Sequence, residues 1–120
     1  MEKEFVTYEL ALRMKQLGFD EPCFMYWWKG ENDYILTDLI EGEARTNDFK
    51  APLFQQAFRW FREKYQLYHE ITIYNTGVIN YISKVTSSKG QYHIGIYKLY
   101  EEAELFCLEK LIDIVEGKSE

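Results

Sequence analysis

The chain has 120 residues and a net charge of −6, long enough to bury a core without disulfides or metal. With 47% hydrophobic and 28% charged residues and two prolines, it cannot be disordered, collagen-like or a cysteine-stapled miniprotein. The excess is aromatic, 18% of the chain as ten Tyr, eight Phe and three Trp, and composition does not say whether it serves a core, a sheet surface or a binding face.

From the N-terminus, Thr7 suits a helix N-cap, and Leu10, Leu12, Met14 and Leu17 recur among Glu9, Arg13 and Lys15. Gly18 stands where a left-handed residue ends a helix, so a helix is predicted over 8–17. The run 23–29 is too short and too aromatic for a helix, Gly30-Glu31-Asn32-Asp33 offers a turn, and 34–40 reads as a second strand. Residues 41–50 are polar and irregular and predict a mobile loop. Pro52 fits a first helical position. Leu53, Phe54, Ala57, Phe58, Trp60, Phe61 and Tyr65 form an apolar stripe that predicts a helix over 52–65, most of it core. Strands follow at 69–75, 78–85 and 91–97, with Asn75-Thr76-Gly77 in the first hairpin loop, and a helix returns over 100–115.

The order is α-β-β-α-β-β-β-α. Short connections imply antiparallel pairing, so the expectation is a single α+β domain over 1–120, an antiparallel sheet of four to five strands with three helices.

Charge is unevenly placed. Residues 31–48 hold six acids against Arg45 and residues 100–120 hold seven against Lys110 and Lys118, while 50–99 hold seven bases against Glu63 and Glu70. The acidic total argues against non-specific nucleic-acid binding. Cys23 and Cys107 lie far apart in apolar runs and read as two buried thiols of a reducing compartment. Met1-Glu2-Lys3-Glu4 is not a basic leader and no apolar run approaches the roughly 20 residues of a membrane span, which implies a soluble cytoplasmic protein without membrane attachment.

No catalytic signature emerges. His69 and His93 stand alone, neither Cys has a near neighbour, the serines lack a glycine framework and the glycines are dispersed, so no enzyme activity, metal or cofactor is expected. Candidate binding residues fall in three groups. Gln55, Arg59, Arg62 and Gln66 share one side of the second helix, where Arg and Gln could read phosphates or base edges; the plainer alternative is a solvated face with an Arg59–Glu63 pair. Tyr74, Tyr81, His93 and Tyr97 could form a stacking platform for single-stranded nucleic acid, although Tyr also suits half-buried strands. Tyr26 and Trp28 sit in a hairpin strand apolar on both faces, which needs cover or a partner.

Four segments carry a family resemblance: Glu4 to Leu12, Leu17 to Phe24, Ala51 to Tyr65 with its Gln-Gln-Ala-Phe-Arg-Trp-Phe-Arg stretch, and Tyr100 to Ile112. In these the chain resembles small uncharacterised proteins of Bacteroidetes genomes and of their phages and prophages. The resemblance implies a bacterial or phage origin and brings no activity, cofactor or site residue. Residues 52–116 also read α-β-β-β-α, like a double-stranded-RNA-binding domain. Such a domain grips phosphates with lysines where this chain has Glu101, Glu102 and Glu104. The expectation is an accessory protein acting through a protein partner or as a homo-oligomer. The alternative is a nucleic-acid-binding module using Arg59, Arg62, Lys64 and the meander tyrosines.

Overall fold

The computed structural model describes residues 2–29, 34–38 and 49–117. After a short 3-10 turn (Glu2–Glu4) come α1 (Tyr8–Gln16), β1 (Met25–Lys29), β2 (Tyr34–Asp38), β3 (Phe49–Ala51), α2 (Phe54–Tyr65), β4 (Tyr68–Asn75), β5 (Ile79–Ser87), β6 (Gly90–Tyr97) and α3 (Tyr100–Glu116). The chain divides into two compact units, residues 1–54 and 55–120.

In the first unit, α1 starts and stops as its local sequence dictates. The Thr7 side chain accepts from the Leu10 amide at 3.5 Å. At the other end Gly18 takes φ 102, and the Gly18 and Phe19 amides bond back to the carbonyls of Lys15 and Met14, both at 3.0 Å. That is the Schellman closure, with Phe19 and Met14 both buried behind it. The three strands form an antiparallel sheet in the order β2-β1-β3. Trp27 pairs with Leu36 on one side and Phe49 on the other. Its buried indole N–H donates to the Val6 carbonyl at 2.8 Å, which satisfies the one polar atom that burial would otherwise strand. Tyr8 stands edge-on to Trp27 and stacks on Tyr34, so part of the aromatic excess is spent in this core.

The second unit is α2, the antiparallel meander β4-β5-β6, and α3. Strand alternation divides the meander into a helix-facing side and an opposite side. His69 of β4 stacks on Phe58 of α2, and buried Ser83 of β5 donates to the Ala103 carbonyl of α3 at 2.8 Å, so odd-numbered residues of β4 and β5 face the helices. Between Ser83 and Lys84 the β6 register shifts from Gly95 to His93, a bulge that leaves Ile94 over. Ala57, Phe58 and Phe61 of α2, Val85 of β5, and Ala103, Cys107, Leu108, Leu111 and Ile112 of α3 are buried.

The α+β class and the three helices hold, and the element order holds except for one additional strand before α2. The single sheet of four to five strands is corrected to two three-stranded sheets among the described residues. The additional strand is β3, where a loop is expected: Phe49 and Ala51 alternate inward around Lys50, and three residues are too few for periodicity to register. Residues 41–48 of that expected loop lie outside the described residues, as do 39–40 of the second strand. Helix α2 starts at Phe54 rather than Pro52. The Pro52 carbonyl accepts from the Val6 amide at 2.8 Å and Leu53 bridges to Phe5, so this stretch is extended, a conformation that proline permits. Cys107 is buried as expected, whereas Cys23 is only half-buried because β1 begins at Met25 and leaves it in the connection.

Candidate functional site

Within the second unit, the described residues of α3 do not cover the helix-facing side of the meander along its whole length. Helix α3 crosses it with Ala103 at Ser83 and Lys110 at Tyr92, the Lys110 ammonium 5.2 Å from the centre of the Tyr92 ring. Its first residue, Tyr100, packs edge-on against Tyr81 at 5.5 Å. The strands continue beyond this point. Ile73 is the cross-strand partner of Tyr81, and Ile79 follows two pairs further on, opposite Asn75. By alternation both turn their side chains to the helix side, past the point where the helix begins. Ile73 is 65% exposed and Ile79 52%, with Val78 of the hairpin loop at 64%.

The surface continues across the sheet. Tyr97 pairs with Tyr81 and stacks on Phe106 of α3 at 5.1 Å, and Leu99, Tyr100 and Phe106 remain exposed. Gly95, two residues before Tyr97 on the same side of β6, makes room for that ring: a Cβ there would meet the Tyr97 hydroxyl at 2.8 Å. The hairpin loop that carries Val78 is closed by Gly77 at φ 99, whose amide donates to the Asn75 side chain at 3.0 Å. The patch is therefore carried by the strands of the meander and the start of α3, with the closed hairpin turn at its end.

Its rim is acidic. Glu101 and Glu102 lie exposed in the first turn of α3. Burial, then Cys107, Glu109 and Glu102, push the Tyr97 phenol above its ordinary pKa, and burial followed by Glu104 does the same to Tyr100. Burial is the larger cause in each case, so both phenols stay neutral at pH 7.

Protein-family models, curated proteins and solved structures were compared with the chain, and none matches. What the surface can do is then a matter of its own residues. An uncovered apolar patch with an acidic border suits a protein surface of complementary charge and repels phosphate. Among the described residues no group of three or more His, Cys, Asp or Glu side chains is placed to hold a metal ion. No described helix is long and apolar enough to cross a membrane.

The residues singled out from sequence are distributed as follows. Gln55, Arg59 and Arg62 lie exposed on α2. Gln55 reaches across to the buried Glu104 carboxylate at 3.4 Å, so it ties α2 to α3. Among the described residues Arg59 and Glu63 form no ion pair. Gln66 is outside the helix, at φ 54, and its side chain donates to the Glu63 carbonyl at 3.4 Å, a helix-ending role. Tyr74 and His93 pair with Asn80 and Lys84 on the side away from the helices, whereas Tyr81 and Tyr97 face them. The four are therefore not brought together. Tyr26 and Trp28 are half-buried, while their neighbour Phe24 is exposed. Sequence reasoning missed Ile73, Val78, Ile79 and Phe106. The alternation that puts Ile73 and Ile79 on the side of Val85 is visible in the sequence, but where α3 begins to cover that side is not.

Proposed function

We propose that the chain is a small cytoplasmic accessory protein that works by docking a protein partner on the apolar end of its second unit. The observation that carries this reading is the row Ile79, Ile73, Tyr81 and Tyr100, placed where the meander outruns α3. Docking would bury side chains that the fold itself leaves in water, at about 25 cal/mol per Å² of apolar surface removed from solvent. The acidic rim calls for a partner segment that is apolar and flanked by Lys or Arg. A bacterial or phage setting is proposed on the resemblance of the helical segments alone.

A displayed random-peptide selection on the whole protein tests the reading, run in parallel on an Ile73→Ser/Ile79→Ser variant. Apolar peptides flanked by basic residues should be enriched on the parent protein, lose affinity at high salt and disappear from the variant. Equal enrichment on both proteins would refute the site. A companion titration with single-stranded DNA and duplex RNA at low salt separates the other reading: binding abolished by Arg59→Ala/Arg62→Ala would transfer the function to α2 and to nucleic acid.

A further inference from the structure

The first unit holds a pocket of about 200 Å³, lined by Ala11 and Lys15 of α1, Phe19 and Asp20 beyond it, Tyr26 of β1, and Lys50, its cross-strand neighbour on β3. Its size is that of a one-ring compound, since a dry cavity of about 150 Å³ accommodates benzene. The walls are mostly apolar. Phe19 and Ala11 are buried, and the small Ala11 side chain leaves the space that a larger residue in α1 would fill.

Charge sits at the lining rather than being spread through it. Lys15 lies one helical turn beyond Ala11, exposed and without an ion pair or hydrogen bond among the described residues. The Lys50 ammonium donates to the Asp20 carboxylate at 2.9 Å and to the Asp20 backbone carbonyl at 3.0 Å. An ammonium has three N–H donors, so one is left. Lys50 is largely shielded, with its side chain 25% exposed, while the Asp20 side chain is 90% exposed, so water holds the aspartate as well as Lys50 does. Two cations and one weakly held anion on apolar walls give this lining a positive balance in a chain of net charge −6.

We propose that this pocket binds a small carboxylate with a compact apolar or aromatic body, the body against Phe19 and Tyr26 and the carboxylate between the ammonium groups of Lys15 and Lys50. The pairing follows from chemistry: a compact apolar body suits the walls, and a carboxylate uses both the spare Lys50 donor and the unengaged Lys15. Asp20 competes with the ligand for Lys50. That gives the two ends of the site opposite signatures on mutation. The site shares no residue with the apolar patch of the second unit and stands or falls independently of it.

The experiment is an amide-resolved NMR titration of the full chain with benzoate, benzyl alcohol and benzylamine, three one-ring probes that differ in charge. Benzoate should shift the Ala11, Phe19 and Tyr26 amides saturably and bind about tenfold tighter than benzyl alcohol, with benzylamine weakest. Lys15→Gln, on an exposed helix position that the fold tolerates, should bring benzoate down to the level of the alcohol. Asp20→Asn should tighten it, because Lys50 keeps its bond to the Asp20 carbonyl and loses its competing anion. The proposal is overturned if millimolar benzoate gives no saturable shifts at these amides, if acid and alcohol bind alike, or if Lys15→Gln leaves benzoate affinity unchanged.

Discussion

His69 shows how one contact turns into a pH response. Its imidazole lies parallel to the Phe58 ring with 3.7 Å between centroids, and burial, then the Arg62 charge, lower its pKa from the ordinary 6.5. As pH falls the unfolded chain therefore takes up this proton first. The stability that neutral His69 confers is complete above pH 6.5 and is lost as pH falls from there through the lower folded-state value. Thermal unfolding should show a decline in Tm from pH 7.5 to 5.5 that is blunted in His69→Phe, which keeps the stack and has no proton to gain. The two cysteines make a second residue-scale contrast. Burial pushes the Cys107 thiol up to about 11, while Cys23 is half-buried with its thiol donating to the Glu21 carbonyl at 3.4 Å. Since the thiolate is the reactive species, a thiol reagent at pH 8 should modify Cys23 in the native protein and Cys107 only after denaturation. That the two thiols would differ was not legible in the sequence, where both sit in apolar runs; burial depends on which run ends up inside an element.

At the scale of elements, local chemistry was the dependable guide. The Thr7 cap, Gly18 beyond α1 and Gly77 in the hairpin loop act where the sequence places them, because each works on backbone groups within a few residues. Helix α3 lacks such help at its start. Leu99 occupies the N-cap with φ −114 and ψ 139, and its side chain makes no capping bond. The backbone is already in the geometry that a hydroxyl cap uses, so Leu99→Ser should stabilise the fold by about 1 kcal/mol, measured by denaturant unfolding. If Leu99 belongs to a docking surface, the same substitution should weaken capture of the basic-apolar peptides, and the gain in stability separates that loss from misfolding. The elements that sequence reasoning misplaced are those whose formation depends on distant chain. Strand β3 exists because β1 offers it an edge, and Pro52 is extended because Val6 donates to its carbonyl.

Over the whole molecule, net charge and the apolar patch act together. At pH 7 the charge of −6 keeps copies apart, and that protection vanishes near the isoelectric point of about 5.0. Light scattering should detect reversible self-association as pH approaches 5, reduced in Ile73→Ser/Ile79→Ser, which removes apolar surface and leaves charge untouched. The sequence by itself determined the α+β class, the order of the three helices and of every strand but β3, and the antiparallel meander, because caps, turns and hydrophobic periods are near-neighbour properties. Only the tertiary structure decided that the strands make two sheets, that the meander tyrosines fall on different sides, and that Ile73 and Ile79 lie beyond the cover of α3. These depend on where one element docks on another, and the residues that meet there are separated by long stretches of chain that no local pattern spans. The aromatic excess follows the same division: its presence was plain in the composition, while its use as core around Trp27 and Phe58 and as exposed surface at Tyr100 and Phe106 came from packing.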